Sequence, residues 1–147
     1  MDAYKEKLEV LDRQAEELVQ ASKYIEALDA MEEALNIRLE VYGETSDEYY
    51  KTADKLCELC NMLSMLSLQK EKFEAVVEFL RKAESLAQNS LDLKAITYNN
   101  MACYYRRIGK LRIALKYLQD ALAIETRLEK SQTLADTHLN VCAVYSQ

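Results

Sequence analysis

Four cysteines and one histidine are the side chains of this 147-residue sequence best suited to chemistry. Cys57-x-x-Cys60 has zinc-like spacing, and Cys103 and Cys142 could supply a third and a fourth ligand. Against a metal, Cys60 and Cys142 fall where helices pack, and a free thiol there behaves as a small hydrophobe. The ligands would also have to converge from three separate helices. Inert thiols are therefore expected, with no metal or other cofactor. Nucleophilic catalysis fares no better, because no Ser or Cys has an evident base together with a group to orient it. The acid pairs Glu16-Glu17 and Glu32-Glu33 read as solvated helix faces. The sequence is not expected to encode an enzyme.

The elements that must carry these residues are helices. The chain is 50% hydrophobic and 30% charged, with two Gly and no Pro. Tight turns draw on Gly and Pro, so a sandwich or barrel is excluded. Gly43 and Gly109 stand alone, so no glycine-rich loop exists to cradle a phosphate. Apolar residues recur at three and four positions, as in Leu8, Leu11, Ala15, Leu18 and then Tyr24, Ala27, Leu28, Met31, Leu35. The pattern breaks at Gln20–Lys23, Tyr42–Thr45, Gln69–Lys72, Gln88–Ser90, Ile108–Lys110 and Glu129–Gln132. Seven helices of about 15–24 residues result. Thr45 and Glu48 form a T-x-x-E capping box at the start of the third.

The chain also repeats itself. Thr97-Tyr-Asn-Asn-Met-Ala-Cys-Tyr-Tyr105 aligns with Thr137-His-Leu-Asn-Val-Cys-Ala-Val-Tyr145. Ala27-Leu-Asp-Ala-Met-Glu-Glu-Ala-Leu-Asn-Ile37 aligns with Ala114-Leu-Lys-Tyr-Leu-Gln-Asp-Ala-Leu-Ala-Ile124, and residues 76–86 are a fainter copy. The repeating unit is a pair of helices, A then B. Small residues let partner helices approach: Ala34, Ala83 and Ala121 on B, and Ala15, Ser64, Ala102 and Cys142 on A. Met31, Leu80 and Leu118 fill the hollows between them. His138 aligns with Tyr98 and is expected in the core or at its boundary.

The stretch from Tyr98 to Ile124 resembles a tetratricopeptide repeat, with Tyr98, Met101-Ala102, Tyr105, Gly109, Ala114, Leu118 and Ala121 in that family's frame. The long units, with Thr-x-Asn-Asn ahead of the small residue, are most similar to the kinesin-light-chain subtype. The expected fold is all-α: a right-handed α-solenoid of antiparallel helix hairpins forming one domain over 1–147. Its units are 8–41, 46–88, 91–128 and a partial fourth at 131–147, which reads as a piece of a longer array. The second unit departs from the frame, with Glu71 where Gly is usual and Val76 where Ala is. It also follows the first by 49 residues, Ala34 to Ala83, a surplus expected to lengthen its A helix at the N-terminal end.

Function is expected to be non-catalytic: a scaffold holding a partner's peptide segment in the concave groove lined by the A helices. The candidate contacts are Arg13, Asn61, Met62, Met65, Asn99, Asn100, Arg106, Arg107 and Asn140. A side-chain amide donates and accepts at once, so it can pair with an extended backbone, and Asn100 and Asn140 hold matching places one repeat apart. Groove asparagines are also what the family resemblance implies. Tetratricopeptide domains that grip chaperone C-termini use Lys-x-x-x-Asn, a pattern that no Asn here satisfies. The run Arg106, Arg107, Lys110, Arg112, Lys116 contains no acid and implies a partner with acidic character near the C-terminal units.

Charge is unevenly spread. Residues 1–50 carry fourteen acids against five bases, while residues 101–147 carry four acids against seven bases. Opposite ends of opposite sign favour head-to-tail association, so the alternative function is a homo-oligomerising segment that uses the last helix. An overall charge of −6 argues against nucleic acid. The longest uncharged stretch, Leu59–Gln69, is too short to span a membrane. No secretion signal is apparent, so the expected address is cytoplasmic, and the kinesin-light-chain likeness implies a cytoskeletal or ciliary association.

Overall fold

Each A helix turns into its B helix through the same three-residue device. In a computed structural model describing residues 2–128 and 133–147, Ser22, Glu71 and Gly109 have φ of 60°, 58° and 82°. The following residue, Lys23, Lys72 or Lys110, donates its N–H five residues back to Leu18, Ser67 or Tyr105. The positive-φ residue itself donates three residues back, to Val19, Leu68 or Arg106. This is the Schellman closure of a helix, which glycine adopts without a Cβ penalty. Only the third hairpin has that glycine. Ser22→Gly is therefore expected to stabilise the chain by about 1 kcal/mol, read as a higher thermal midpoint.

The helices so joined are α1 (Asp2–Gln20), α2 (Tyr24–Tyr42), α3 (Asp47–Gln69), α4 (Phe73–Leu86), α5 (Leu91–Arg107), α6 (Leu111–Glu125) and α7 (Leu134–Tyr145). No strand occurs among the described residues. The expected break at Glu129–Gln132 lies outside them. At 14 and 12 residues, α4 and α7 are shorter than the periodicity indicates. The longest helix is α3, with 23 residues, so the surplus of the second unit does extend the N-terminal end of its A helix. Its cap differs by one residue from the sequence expectation: Ser46, not Thr45, accepts the N–H of Tyr49 at 3.2 Å. Ser90 caps α5 in the same way.

The hairpins α1–α2, α3–α4 and α5–α6 are the tightest pairs, and among the described residues no helix touches another more than two places along the chain. That is an α-solenoid, as the repeat predicts. The small columns are buried where two helices meet, with Ala34, Ala83, Ala121, Ser64 and Ala102 all nearly inaccessible. Leu118 and Leu56 fill the hollows, each stabilising by about 2 kcal/mol. Phe73, Tyr104, Tyr105, Tyr117 and Tyr98 form a continuous run of ring contacts, Tyr105 and Tyr117 stacking 5.6 Å apart. This places Tyr104 and Tyr117 in packing.

Two expectations fail at the last helix. Cys142, assigned to the small column, is exposed, and so is His138, assigned to the core or its boundary. Both lie on the face of α7 turned away from α5 and α6, where no described helix packs.

Candidate functional site

The A helices α3, α5 and α7 stand side by side and are tied together by asparagines. On α3, Asn61 donates through Nδ2 to Thr97 Oγ1 at 3.0 Å, and its Oδ1 accepts from Asn100 Nδ2 at 2.9 Å. One repeat on, Asn99 donates to Thr137 Oγ1 at 2.6 Å, and its Oδ1 accepts from Asn140 Nδ2 at 3.2 Å. The same amide clasp thus joins α3 to α5 and α5 to α7. Both hydroxyls pass a hydrogen onward, from Thr97 to Leu93 O at 2.7 Å and from Thr137 to Glu125 Oε1 at 2.6 Å. The other Glu125 oxygen accepts from Thr133. Glu125 is only 1% exposed and ends α6, so a buried carboxylate anchors the start of α7.

These partners sort the expected contacts into two layers. Asn61 and Asn99 lie beneath the surface, 4% and 6% exposed, with both amide groups engaged inside the fold. Asn100 and Asn140 are half-buried. Each gives one N–H to the preceding A helix and keeps its Oδ1 and second N–H without a partner among the described residues. Met62 is exposed beside them, whereas Met65 is half-buried in the cluster of Leu68 and Met101. Arg106 is half-buried at the end of α5, and Arg107 donates to Glu71 Oε1 at 2.8 Å. Arg13 is exposed on α1, which touches α2 alone, so it stands apart from the others.

Between α5 and α7 the clasp leaves a recess of about 280 Å³, lined by Ile96, Asn99, Asn100, Thr133, Asp136, Leu139 and Asn140. Leu139 is 67% exposed at its edge. A second and larger cleft, about 500 Å³, opens between α1 and α3 over α2. Sequence reasoning expects contacts at Asn99, Asn100 and Asn140, which line the recess, but not the larger cleft nor the roles of Thr97, Thr137 and Glu125. The 40-residue echo of Thr97 in Thr137 was the available signal for the clasp.

Two of the four thiols, Cys57 and Cys60, are placed for packing. Cys57 and Cys60 are fully buried one turn apart on α3, and Cys57 Sγ donates to Ala83 O at 3.3 Å. Among the described residues no group of three or more metal-ligating side chains forms. Burial pushes the Cys57 thiol up to about 11 and the Cys60 thiol to about 12, and raises Cys103 as well. A thiol reagent at pH 8 is expected to modify Cys142 first and to reach Cys57 and Cys60 only on unfolding. Because both folded-state values lie above the ordinary 9.0, the folded state holds the protons more tightly. The stability tied to them is complete below pH 9 and is lost as pH rises through about 11 to 12. Tyr98 and Tyr117, also raised by burial, act in the same direction.

Comparison with known proteins agrees with this architecture. Residues 95–129, which contain the α5–α6 hairpin, match the family model described as tetratricopeptide repeat. Among solved structures, the crystal structure of BtubC (BKLC) from P. vanneervenii superposes with a TM-score of 0.61 at 25% identity. The match covers 95% of this chain and 55% of that one, so this chain spans about half the length of its structural relative. No curated protein matches significantly. Among the described residues, no helix is long and apolar enough to cross a membrane.

Proposed function

We propose, on the premise that the chain is a tetratricopeptide-repeat protein and so an interaction scaffold, that it holds an extended segment of a partner along α3, α5 and α7 without chemistry. The observation that carries this reading is the pair of half-engaged amides, Asn100 and Asn140, beside the recess between α5 and α7. Their inner N–H groups fix them to the clasp, so their outer groups face a ligand already oriented. Pre-organised donors and acceptors lose little freedom when a peptide backbone pairs with them. Ile96 and Leu139 supply apolar contact for a side chain in the recess. Arg106 at the end of α5 and Lys110 at the start of α6 favour acidic residues in the partner there.

The test is a peptide array probed with the wild-type chain and with Leu139→Glu. Leu139 is largely exposed, so the substitution leaves the fold intact while placing a charge in the recess. Binding of array-selected peptides is expected to weaken about tenfold or more, with an unchanged thermal midpoint. Unaltered binding would sink the groove.

A second reading is favoured by one observation. α7 exposes Leu139 at 67% and Tyr145 at 73%, at the basic end of a chain whose other end is acidic. Head-to-tail self-association through this helix predicts a sedimentation coefficient that rises with concentration and falls with salt. A monomer at every concentration excludes it.

A further inference from the structure

The second and third hairpin turns lie side by side. Arg107 donates to Glu71 across them at 2.8 Å, and the rings of Phe73 and Tyr104 meet 6.2 Å apart. Residues 70–74 and 106–113 hold six bases, Lys70, Lys72, Arg106, Arg107, Lys110 and Arg112, against the acids Glu71 and Glu74. Lys72 and Lys110 give the turn closure only their backbone N–H groups. With Lys70 and Arg112 they are exposed and form no ion pair among the described residues. Among these bases stand Ile108 and Ile113, 36% and 39% exposed. Hairpin closure requires neither isoleucine, since the matching positions hold Ala21 and Lys70 in one case and Glu26 and Ala75 in the other. Tyr145, 73% exposed, ends α7 at the same edge, because its neighbour Val144 packs in the cluster that includes Tyr105 and Leu111. The first turn, where Lys23 stands between Glu17 and Glu26, takes no part.

We propose that this edge attaches the chain to the surface of an anionic lipid bilayer, its bases on the headgroups and Ile108, Ile113 and Tyr145 within the headgroup layer. Attachment of this kind needs no spanning helix. A bilayer surface also needs no pocket, and neither cleft described above includes a residue of these two turns. It presents negative charge over an apolar layer, the order in which long basic side chains surrounding isoleucines would meet it. A tyrosine suits the same boundary, with a polar hydroxyl on an apolar ring. An acidic polypeptide or a nucleic acid would satisfy the bases and leave the isoleucines in water. The overall charge of −6 does not oppose this, because fourteen of the acids lie in residues 1–50, and α1 and α2 touch none of α4, α5, α6 and α7.

The probes are vesicles of phosphatidylcholine alone, and of phosphatidylcholine and phosphatidylserine in equal parts, pelleted with the chain. The chain is expected to pellet with the second kind only, and less as salt rises. Lys110→Gln with Arg112→Gln is expected to weaken binding about thirtyfold, about fivefold for each base. Ile108→Ser with Ile113→Ser is expected to weaken it about tenfold with helical content unchanged. The chain contains no Trp, so Ile113→Trp reports on its own position. Its emission is expected to shift to the blue on the anionic vesicles, while that of Ala123→Trp, farther along α6, stays unshifted. Equal pelleting with neutral vesicles, full binding by either double variant, or unshifted emission from Ile113→Trp would overturn the proposal. Binding of polyglutamate that survives the isoleucine substitutions and matches the vesicle affinity would also overturn it, because the occupant would then be an acidic polypeptide.

Discussion

Asn99→Ala is expected to lower stability by about 2–4 kcal/mol and to release α7 before the rest of the stack. The side chain is 6% exposed, and its removal leaves no solvent path for the groups that it satisfied. Thr137 Oγ1 loses a donor at 2.6 Å, Asn140 Nδ2 loses its acceptor, and Ala95 O loses a further contact at 3.1 Å. Stranding buried polar partners costs more than the net worth of the bonds themselves. The loss falls on α7 because that helix meets only α5 and α6. Circular dichroism melts give the magnitude, and hydrogen exchange over α7 gives the location. Asn140→Ala, at a half-buried site with one clasp bond, is the milder control.

Ala83→Leu is expected to cost about 3 kcal/mol, at the upper end of overpacking. Ala83 is fully buried on α4, within the cluster that holds Leu56, Cys57 and Cys60. Cys57 Sγ already sits 3.3 Å from its carbonyl oxygen, so added methylenes must displace α3 from α4. Ala123→Leu on the exposed side of α6 makes the same chemical change without that neighbour and is expected to shift stability by less than about 0.5 kcal/mol. If the two substitutions melted alike, close approach of the hairpin helices would not be the reason for the alanine column.

The hairpins were legible because their causes are local. Small residues at fixed offsets, and the turns at Ser22, Glu71 and Gly109, declare themselves within a few positions of the chain. The asparagine clasp was legible only in part. Sequence placed Asn61, Asn99, Asn100 and Asn140 on one face, and the structure brings all four together. Which asparagines point inward depends on how far one A helix is rotated against the next, a quantity that no local pattern carries. Hence Asn61 and Asn99 are internal ties, and only Asn100 and Asn140 keep outward groups. Cys142 and His138 were misjudged for a related reason. A column predicts burial only where a neighbouring helix covers it, and α7 has none on that side among the described residues.

The most direct test of a concave binding face is hydrogen exchange on the chain with and without an array-selected peptide. Added protection is predicted on the outer faces of α3, α5 and α7, strongest in residues 96–107 and 134–142, with the B helices α4 and α6 unchanged. Protection confined to α4 and α6, or absent from α5 and α7, would contradict it.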